Sequence, residues 1–216
     1  MPSLANSDAV SKGRLEAFSD GVIAVAITFL VINLVVPPPD KTKDLADALL
    51  KDWPHFIAYV ISFITIGIIW INHHAMIGRL RQPDHAILSL NLLLLLWIVV
   101  LPFSTDLMAT YLKSHHGERT AAAVYAGSLL AMSLTFSAFN YHILYPKSHL
   151  LAVELSDERR RQIITRGVFG LIPYTLATAL AAVSPYCTLA ICAAVAFYYA
   201  LPIASGSENS ASSTQT

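Results

Sequence analysis

Long apolar runs separated by short polar segments dominate the chain. Six of these runs reach the roughly 20 residues that a helix needs to cross a bilayer, and they cover residues 16–36, 54–72, 85–105, 120–141, 162–183 and 185–204. The segments between them are rich in proline, charged residues and histidine, which is typical of connections at a membrane surface. The pattern predicts an all-α integral membrane protein with six transmembrane helices per chain.

Composition and charge support the same fold class. Of the 216 residues, 55% are hydrophobic and 13% are charged, which is too apolar for the surface of a soluble domain. The formal net charge is zero, so nothing in the charge balance indicates a nucleic-acid partner. The first apolar run is followed by PPPD rather than a small-residue cleavage site, and we therefore expect it to remain in the mature protein.

We expect three regions: a cytoplasmic arm (1–13), a six-helix membrane domain (14–204) and a disordered polar tail (205–216). If the N-terminus lies inside, nine lysines and arginines fall on the cytoplasmic side and five on the other. The positive-inside rule then places both termini in the cytoplasm. The nine are Lys12, Arg14, Arg79, Arg81, Lys147, Arg159, Arg160, Arg161 and Arg166.

The first apolar run carries an unusual mixture of polar and apolar residues along one side. On a helical wheel of about 100° per residue, seven residues fall within about 60° of one direction. This stripe combines a charge, a hydroxyl group, a glycine and large apolar side chains. Its members are Arg14, Phe18, Gly21, Val25, Thr28, Phe29 and Ile32.

Asp20 lies about one turn inside the same run, away from this stripe. It is not spaced from Arg14 as an ordinary ion pair on one helix would be. Two interpretations remain open: Ser19 and Asp20 cap the start of the helix, or Asp20 makes a buried contact with another helix.

Three segments of the chain carry a resemblance to a known family. RLEAFSD at 14–20 contains the pattern RxxxFSD, and it is followed by GVIAVAIT in the same run, WINHH at 70–74 and LPFST at 101–105. Together they resemble the lysosomal-type potassium channel family, transmembrane protein 175, and specifically its bacterial members. The resemblance covers roughly residues 12–200.

The resemblance implies a homotetramer that conducts potassium in preference to sodium, with the first helix lining a central pore in a bacterial plasma membrane. Family members lack the TVGYG filter of ordinary potassium channels, and this sequence also contains none. By their positions after the motif phenylalanine, Val25 would form the tightest ring and Thr28 would contribute to selectivity. Phe29 and Ile32 continue the same face, and isoleucine or leucine is more usual where this chain has Val25.

The resemblance also implies that the motif residues hold the inner ends of neighbouring helices in register. We expect this structural network to include polar residues of later helices as partners. The candidate members are Arg14, Phe18, Ser19, Asp20, Trp70, His73, His74 and Asn91.

Other functions are weighed against the channel. Adjacent histidines project about 100° apart, which does not suit joint metal ligation, and we expect no metal and no cofactor beyond the permeant potassium ion. No phosphate loop, GxSxG or HExxH motif indicates an enzyme. The alternatives are a proton- or ion-coupled carrier that uses Asp20, His73 and His74, and a scaffold without transport. Carriers usually show repeats and interrupted helices, whereas the first helix is predicted to run unbroken from Phe18 to Val36.

Overall fold

The computed structural model describes residues 11–40, 42–114 and 116–201. Within these ranges the chain forms seven α-helices and one short 3-10 turn, Ser148–Leu150. The helices are α1 (Lys12–Ile32), α2 (Leu45–Lys51), α3 (Trp53–Gly78), α4 (His85–Tyr111), α5 (Glu118–Leu144), α6 (Asp157–Leu180) and α7 (Pro185–Ala200).

Five of the helices found in the described residues are long and apolar enough to cross a membrane: α1, α3, α4, α5 and α6. The predicted all-helical architecture is therefore confirmed. The last apolar run forms α7, which has only 16 residues and is shorter than a typical span of about 20. The predicted polar tail at 205–216 lies outside the described residues, as do residues 1–10 of the predicted arm.

The first helix starts and ends at different residues from those expected. Ser11 caps its start, because the Ser11 side chain accepts a hydrogen bond from the Arg14 amide. The prediction of an unbroken helix to Val36 is wrong, since α1 ends at Ile32. Proline disfavours helical geometry in the residue before it, and three prolines begin at Pro37.

Helix α2 was not predicted from the sequence. Asp44 caps it by accepting hydrogen bonds from the amides of Ala46 and Asp47. The Lys113 ammonium group donates to the Lys51 carbonyl at 2.6 Å, which ties the end of α2 to the segment after α4. Because this helix has seven residues, it gives no long apolar run for a search based on span length to find.

The core is built around α4, which packs against α1, α3 and α5. Helix α5 in turn packs against α6 and α7. Among the buried apolar side chains lies a polar link between three helices: the Ser62 hydroxyl is 2.7 Å from that of Thr105 and 3.1 Å from that of Tyr125. Hydroxyl groups that satisfy one another can be buried at little cost.

The loop between α3 and α4 pairs with the segment between α5 and α6. The Arg81 amide donates to the Leu150 carbonyl at 2.8 Å, and the Ala152 amide donates to the Arg79 carbonyl at 2.8 Å. These two bonds form a short antiparallel bridge. They fix the end of α3 against the segment that leads into α6.

An ion pair strengthens the same junction. The Lys147 ammonium group lies 2.8 Å from a carboxylate oxygen of Asp84, the residue that caps α4. Partial burial acts to raise the pKa of Asp84, but the hydrogen bonds from Lys147 and from the Ile87 amide outweigh it. The pKa of Asp84 therefore lies below its ordinary value, and the carboxylate is charged at neutral pH.

Candidate functional site

Helix α1 has two distinct faces. Its buried residues recur every three or four positions, as expected of a helix that packs along one side. They are Leu15, Ser19, Ile23, Ala26 and Leu30. This face packs against α3 and α4, so the opposite face is directed away from the rest of the chain.

The stripe predicted from the helical wheel lies on that opposite face. Phe18 is 53% exposed, Val25 50%, Phe29 49% and Ile32 67%. Arg14 and Thr28 are also exposed. A continuous apolar face of this kind on one protomer marks a surface that is covered by lipid or by another protein chain.

Thr28 has a defined hydrogen bond within this face. Its hydroxyl group donates to the Val25 carbonyl one turn earlier, at 2.8 Å. A hydroxyl has one proton to donate and two lone pairs to accept with. With the proton directed into the helix, the lone pairs of Thr28 remain available on the exposed side.

A buried polar cluster joins the other face of α1 to α3 and α4. The Asn91 amide group donates to the Ser19 hydroxyl at 3.0 Å, and the Asn91 carbonyl oxygen lies 2.7 Å from Nε2 of His73. An amide oxygen only accepts, so Nε2 of His73 carries the proton. Ser19 donates in turn to the Leu15 carbonyl at 2.9 Å. We call Ser19, His73 and Asn91 the buried triad.

Asp20 contacts α3 through a different residue. The indole Nε1 of Trp70 donates to an Asp20 carboxylate oxygen at 2.9 Å. Ser11, rather than Ser19 or Asp20, is the N-cap of α1. The interpretation of Ser19 and Asp20 as capping residues is therefore wrong, and both make contacts with other helices.

His74 and Arg14 lie outside the buried triad. The His74 ring packs near the Trp70 indole with ring centroids 6.5 Å apart, and His74 is exposed while His73 is buried. The Arg14 guanidinium has no hydrogen-bond or ion-pair partner among residues 11–40, 42–114 and 116–201. In the part of the chain that the structure describes, no group of three or more histidine, cysteine or acidic residues is arranged to hold a metal ion.

Sequence reasoning missed one group of residues at the other end of α1. Nδ1 of His55 lies 2.6 Å from Asp52, and its Nε2 lies 3.8 Å from Asp106. Asp106 also lines a surface groove together with Phe29 and Ile32. Asp106 stands directly after the LPFST segment, and a carboxylate at that point in an apolar run was the signal available for finding it.

Comparison with known proteins identifies the family. A family model described as the endosomal/lysosomal potassium channel TMEM175 matches residues 14–102. A protein of Streptomyces collinus named as a potassium channel is 40% identical over 187 residues, which are 87% of this chain and 90% of that protein. The chain belongs to the TMEM175 channel family. The resemblance found in its sequence motifs is thus confirmed.

Two further similarities come from one organism, Chamaesiphon minutus. A protein of this organism named as a potassium channel is 38% identical over 192 residues, covering 88% of this chain and 93% of that protein. The crystal structure of a lysosomal potassium-selective channel TMEM175 homolog from Chamaesiphon minutus matches with a TM-score of 0.77 and 36% identity. The structural match covers 88% of this chain and 96% of the chain in that crystal structure.

The range of the TMEM175 family model coincides with the part of the chain that carries the candidate site. Residues 14–102 include nearly all of α1, all of α3 and two thirds of α4. The exposed stripe of α1, the buried triad and the Asp20–Trp70 bond therefore all lie within the matched segment. Helices α5 to α7 lie outside it.

Proposed function

We propose that this TMEM175-family chain forms a potassium-preferring, passive cation channel as a homotetramer, with α1 from each copy lining a central pore. The observation that carries this proposal is the two-faced character of α1. One face is fixed to α3 and α4 inside the protomer, and the other presents Val25, Thr28, Phe29 and Ile32 outwards. The names of the Streptomyces and Chamaesiphon relatives support potassium as the permeant ion.

The stripe contains the parts that such a pore requires. Four aliphatic or aromatic side chains that meet on an axis form a hydrophobic constriction, which closes by excluding water. Val25, Phe29 and Ile32 supply three such rings. Because valine is smaller than the isoleucine or leucine usual at its position in the family, Phe29 is a candidate for the narrowest ring.

Thr28 provides the polar contribution to selectivity. Its hydroxyl proton is held by the Val25 carbonyl at 2.8 Å. Four such oxygens around an axis would therefore direct lone pairs at a passing ion and replace part of its hydration shell. Selection would then depend on side chains rather than on a TVGYG loop.

The buried triad and the Asp20–Trp70 bond have a structural role in this proposal. They hold α1 against α3 and α4, so that the stripe keeps its orientation within each copy. The Arg14 guanidinium lacks a partner in the described part of its own chain, and we assign it to a contact with a neighbouring copy. Phe18, one turn after Arg14 and 53% exposed, packs at the same inter-subunit surface.

The protein would lie in the bacterial plasma membrane with both termini in the cytoplasm, in contact with lipid. Helix α7 completes a sixth crossing in this arrangement. Its 16 residues give a length of about 24 Å, which is shorter than the hydrocarbon core of about 30 Å. A local thinning of the bilayer or the residues that flank α7 would make up the difference.

The geometry favours the channel over the carrier alternative. A proton relay through Asp20, His73 and His74 requires these groups to exchange protons with one another. His73 is instead bonded to buried Asn91, Asp20 is bonded to Trp70, and His74 is exposed beside the indole ring. The three candidates therefore have separate environments.

Ion flux in liposomes tests the proposal. Purified protein is reconstituted with a potassium gradient, no proton gradient and a proton ionophore, and the same vesicles are prepared with sodium. We expect downhill flux that is faster for potassium than for sodium, and none in protein-free vesicles. Absence of flux, or flux that requires a proton gradient, would contradict the channel.

A further inference from the structure

Helix α6 packs against the rest of the described chain along one narrow face. Of the residues of α6, all of which the structure describes, only Tyr174 and Ala177 are buried. On the opposite face Phe169 is 65% exposed, Ile172 57% and Leu176 50%. These three apolar side chains recur every three or four residues and form a continuous strip along the helix.

The strip leads into a groove at the start of the helix that is lined by polar and charged residues. The groove has a volume of about 320 Å³ and is lined by Glu158, Arg161, Gln162, Thr165 and Arg166. The guanidinium groups of Arg161 and Arg166 have no hydrogen-bond or ion-pair partner in the described ranges of the chain. Among the described residues that line the groove, Glu158 contributes one carboxylate against two guanidinium groups, so this lining has a net positive charge.

The groove lies at the depth of lipid headgroups. About 20 helical residues span the hydrocarbon core, and 20 residues counted back from Leu180, the last residue of α6, end at Arg161. Arg166 is then about 7 Å deeper. An arginine on an exposed face at that depth is costly unless its side chain extends back to the polar interface, where lipid phosphates lie.

We propose that this end of α6 is a binding site for an anionic phospholipid of the cytoplasmic leaflet. The lipid phosphate lies between the Arg161 and Arg166 guanidinium groups, which bind phosphate through paired N–H donors. One acyl chain lies along Phe169, Ile172 and Leu176. The proposal depends on the membrane orientation given above and not on ion conduction.

Lipid binding to the purified protein tests the site. Native mass spectrometry measures the binding of dioleoyl phosphatidylglycerol and of dioleoyl phosphatidylcholine, which have the same acyl chains and differ in headgroup charge. We expect the wild type to bind the anionic lipid about tenfold or more tightly than the zwitterionic one. The double variant Arg161→Gln with Arg166→Gln is expected to lose this preference.

A matched variant removes the same charge from the other side of the membrane. Lys43→Gln with Arg119→Gln replaces two exposed cations there, and it should retain the wild-type lipid preference. Arg161→Lys with Arg166→Lys keeps both charges and should retain most of the preference for the anionic lipid. This variant tests the site even if the glutamine variant misfolds.

Three results would overturn the proposal. The first is equal binding of the two lipids by the wild type, or an unchanged preference in the glutamine variant. The second is displacement of the bound lipid by an equal concentration of inorganic phosphate, which would assign the groove to a soluble anion. The third is loss of oligomer in the glutamine variant with lipid preference intact, which would make this face of α6 a contact between copies.

Discussion

Replacing Asn91 by alanine tests whether the buried triad holds the first helix in place. Asn91 is fully buried and makes hydrogen bonds to Ser19 on α1 and His73 on α3. Bonds between helices in a bilayer average about 0.6 kcal/mol and reach about 1.7 kcal/mol. The substitution removes two of them and also leaves the buried Nε2–H of His73 without its acceptor, which costs about 1–3 kcal/mol more. We expect a loss of about 2–4 kcal/mol in the free energy of unfolding.

Asn140 supplies a matched control for this experiment. It is also an asparagine in a long apolar helix and is only 7% exposed, but its side chain donates to the Phe136 carbonyl of its own helix. Asn140→Ala therefore removes no bond between helices and should cost less than about 1 kcal/mol. The two variants lose the same side-chain atoms, but only Asn91→Ala breaks hydrogen bonds between helices.

Unfolding in mixed micelles with increasing SDS, followed by circular dichroism, measures both free energies. If Asn91→Ala costs no more than Asn140→Ala, the triad does not fasten α1, and the orientation of the exposed stripe must depend on apolar packing. A large loss of unfolding free energy in Asn91→Ala together with a small loss in Asn140→Ala supports the triad as the main polar contact that holds α1 against α3 and α4.

Three further predictions address the pore, the assembly and the pH dependence. Val25→Asn should raise potassium flux in liposomes several-fold by wetting the constriction, whereas Thr28→Ala should lower the preference for potassium over sodium; wild-type behaviour in both would show that the stripe does not face the pore. Asp20→Asn should reduce the assembled oligomer on mild detergent gels, and Trp70→Phe, which removes the donor but keeps a ring, should have the same direction of effect; unchanged assembly with altered flux would instead place Asp20 in permeation. Because the pKa of Asp84 is lowered in the folded protein, its ion pair contributes stability above the ordinary carboxyl pKa and loses it as the pH falls through the lowered value. Asp84→Asn should therefore lower the melting temperature at pH 7, and the difference from the wild type should shrink towards pH 3; an equal difference at both pH values would contradict this role.

The long helices could be predicted from the sequence because their apolar runs are nearly continuous. The ends of these helices could not, since they depend on local contacts. Leu34, Val35 and Val36 are as apolar as the residues before Ile32. The helix nevertheless ends there, because prolines follow and the Asn33 amide group donates to the Pro102 carbonyl at 3.3 Å. Helix α2 was missed because seven residues capped by Asp44 give no span-length signal.

The sequence indicated which residues share one face of α1, but not which residues of other helices they contact. The helical wheel separated the exposed stripe from the buried face of α1, because a single helix determines that geometry. The partners of Ser19 and Asp20 lie on other helices, between 50 and 72 residues away in the chain, and no pattern within one helix states how two helices are aligned. The sequence predicted a set of possible partners without assigning them to one another. In the structure Trp70 donates to Asp20, whereas His73 and Ser19 are both hydrogen-bonded to Asn91.

The buried triad has a genetic consequence. Its three side chains are hydrogen-bonded to one another inside a single chain, so this contact between helices requires no neighbouring copy. In the proposed homotetramer, a copy altered only in the exposed stripe is expected to fold and to assemble with unaltered copies, and to impair the channels that contain it. A copy altered in the triad is expected to be less stable, so that fewer altered copies assemble and unaltered copies assemble with one another. Substitutions in the stripe are therefore expected to be dominant in cells that express both forms, and substitutions in the triad recessive.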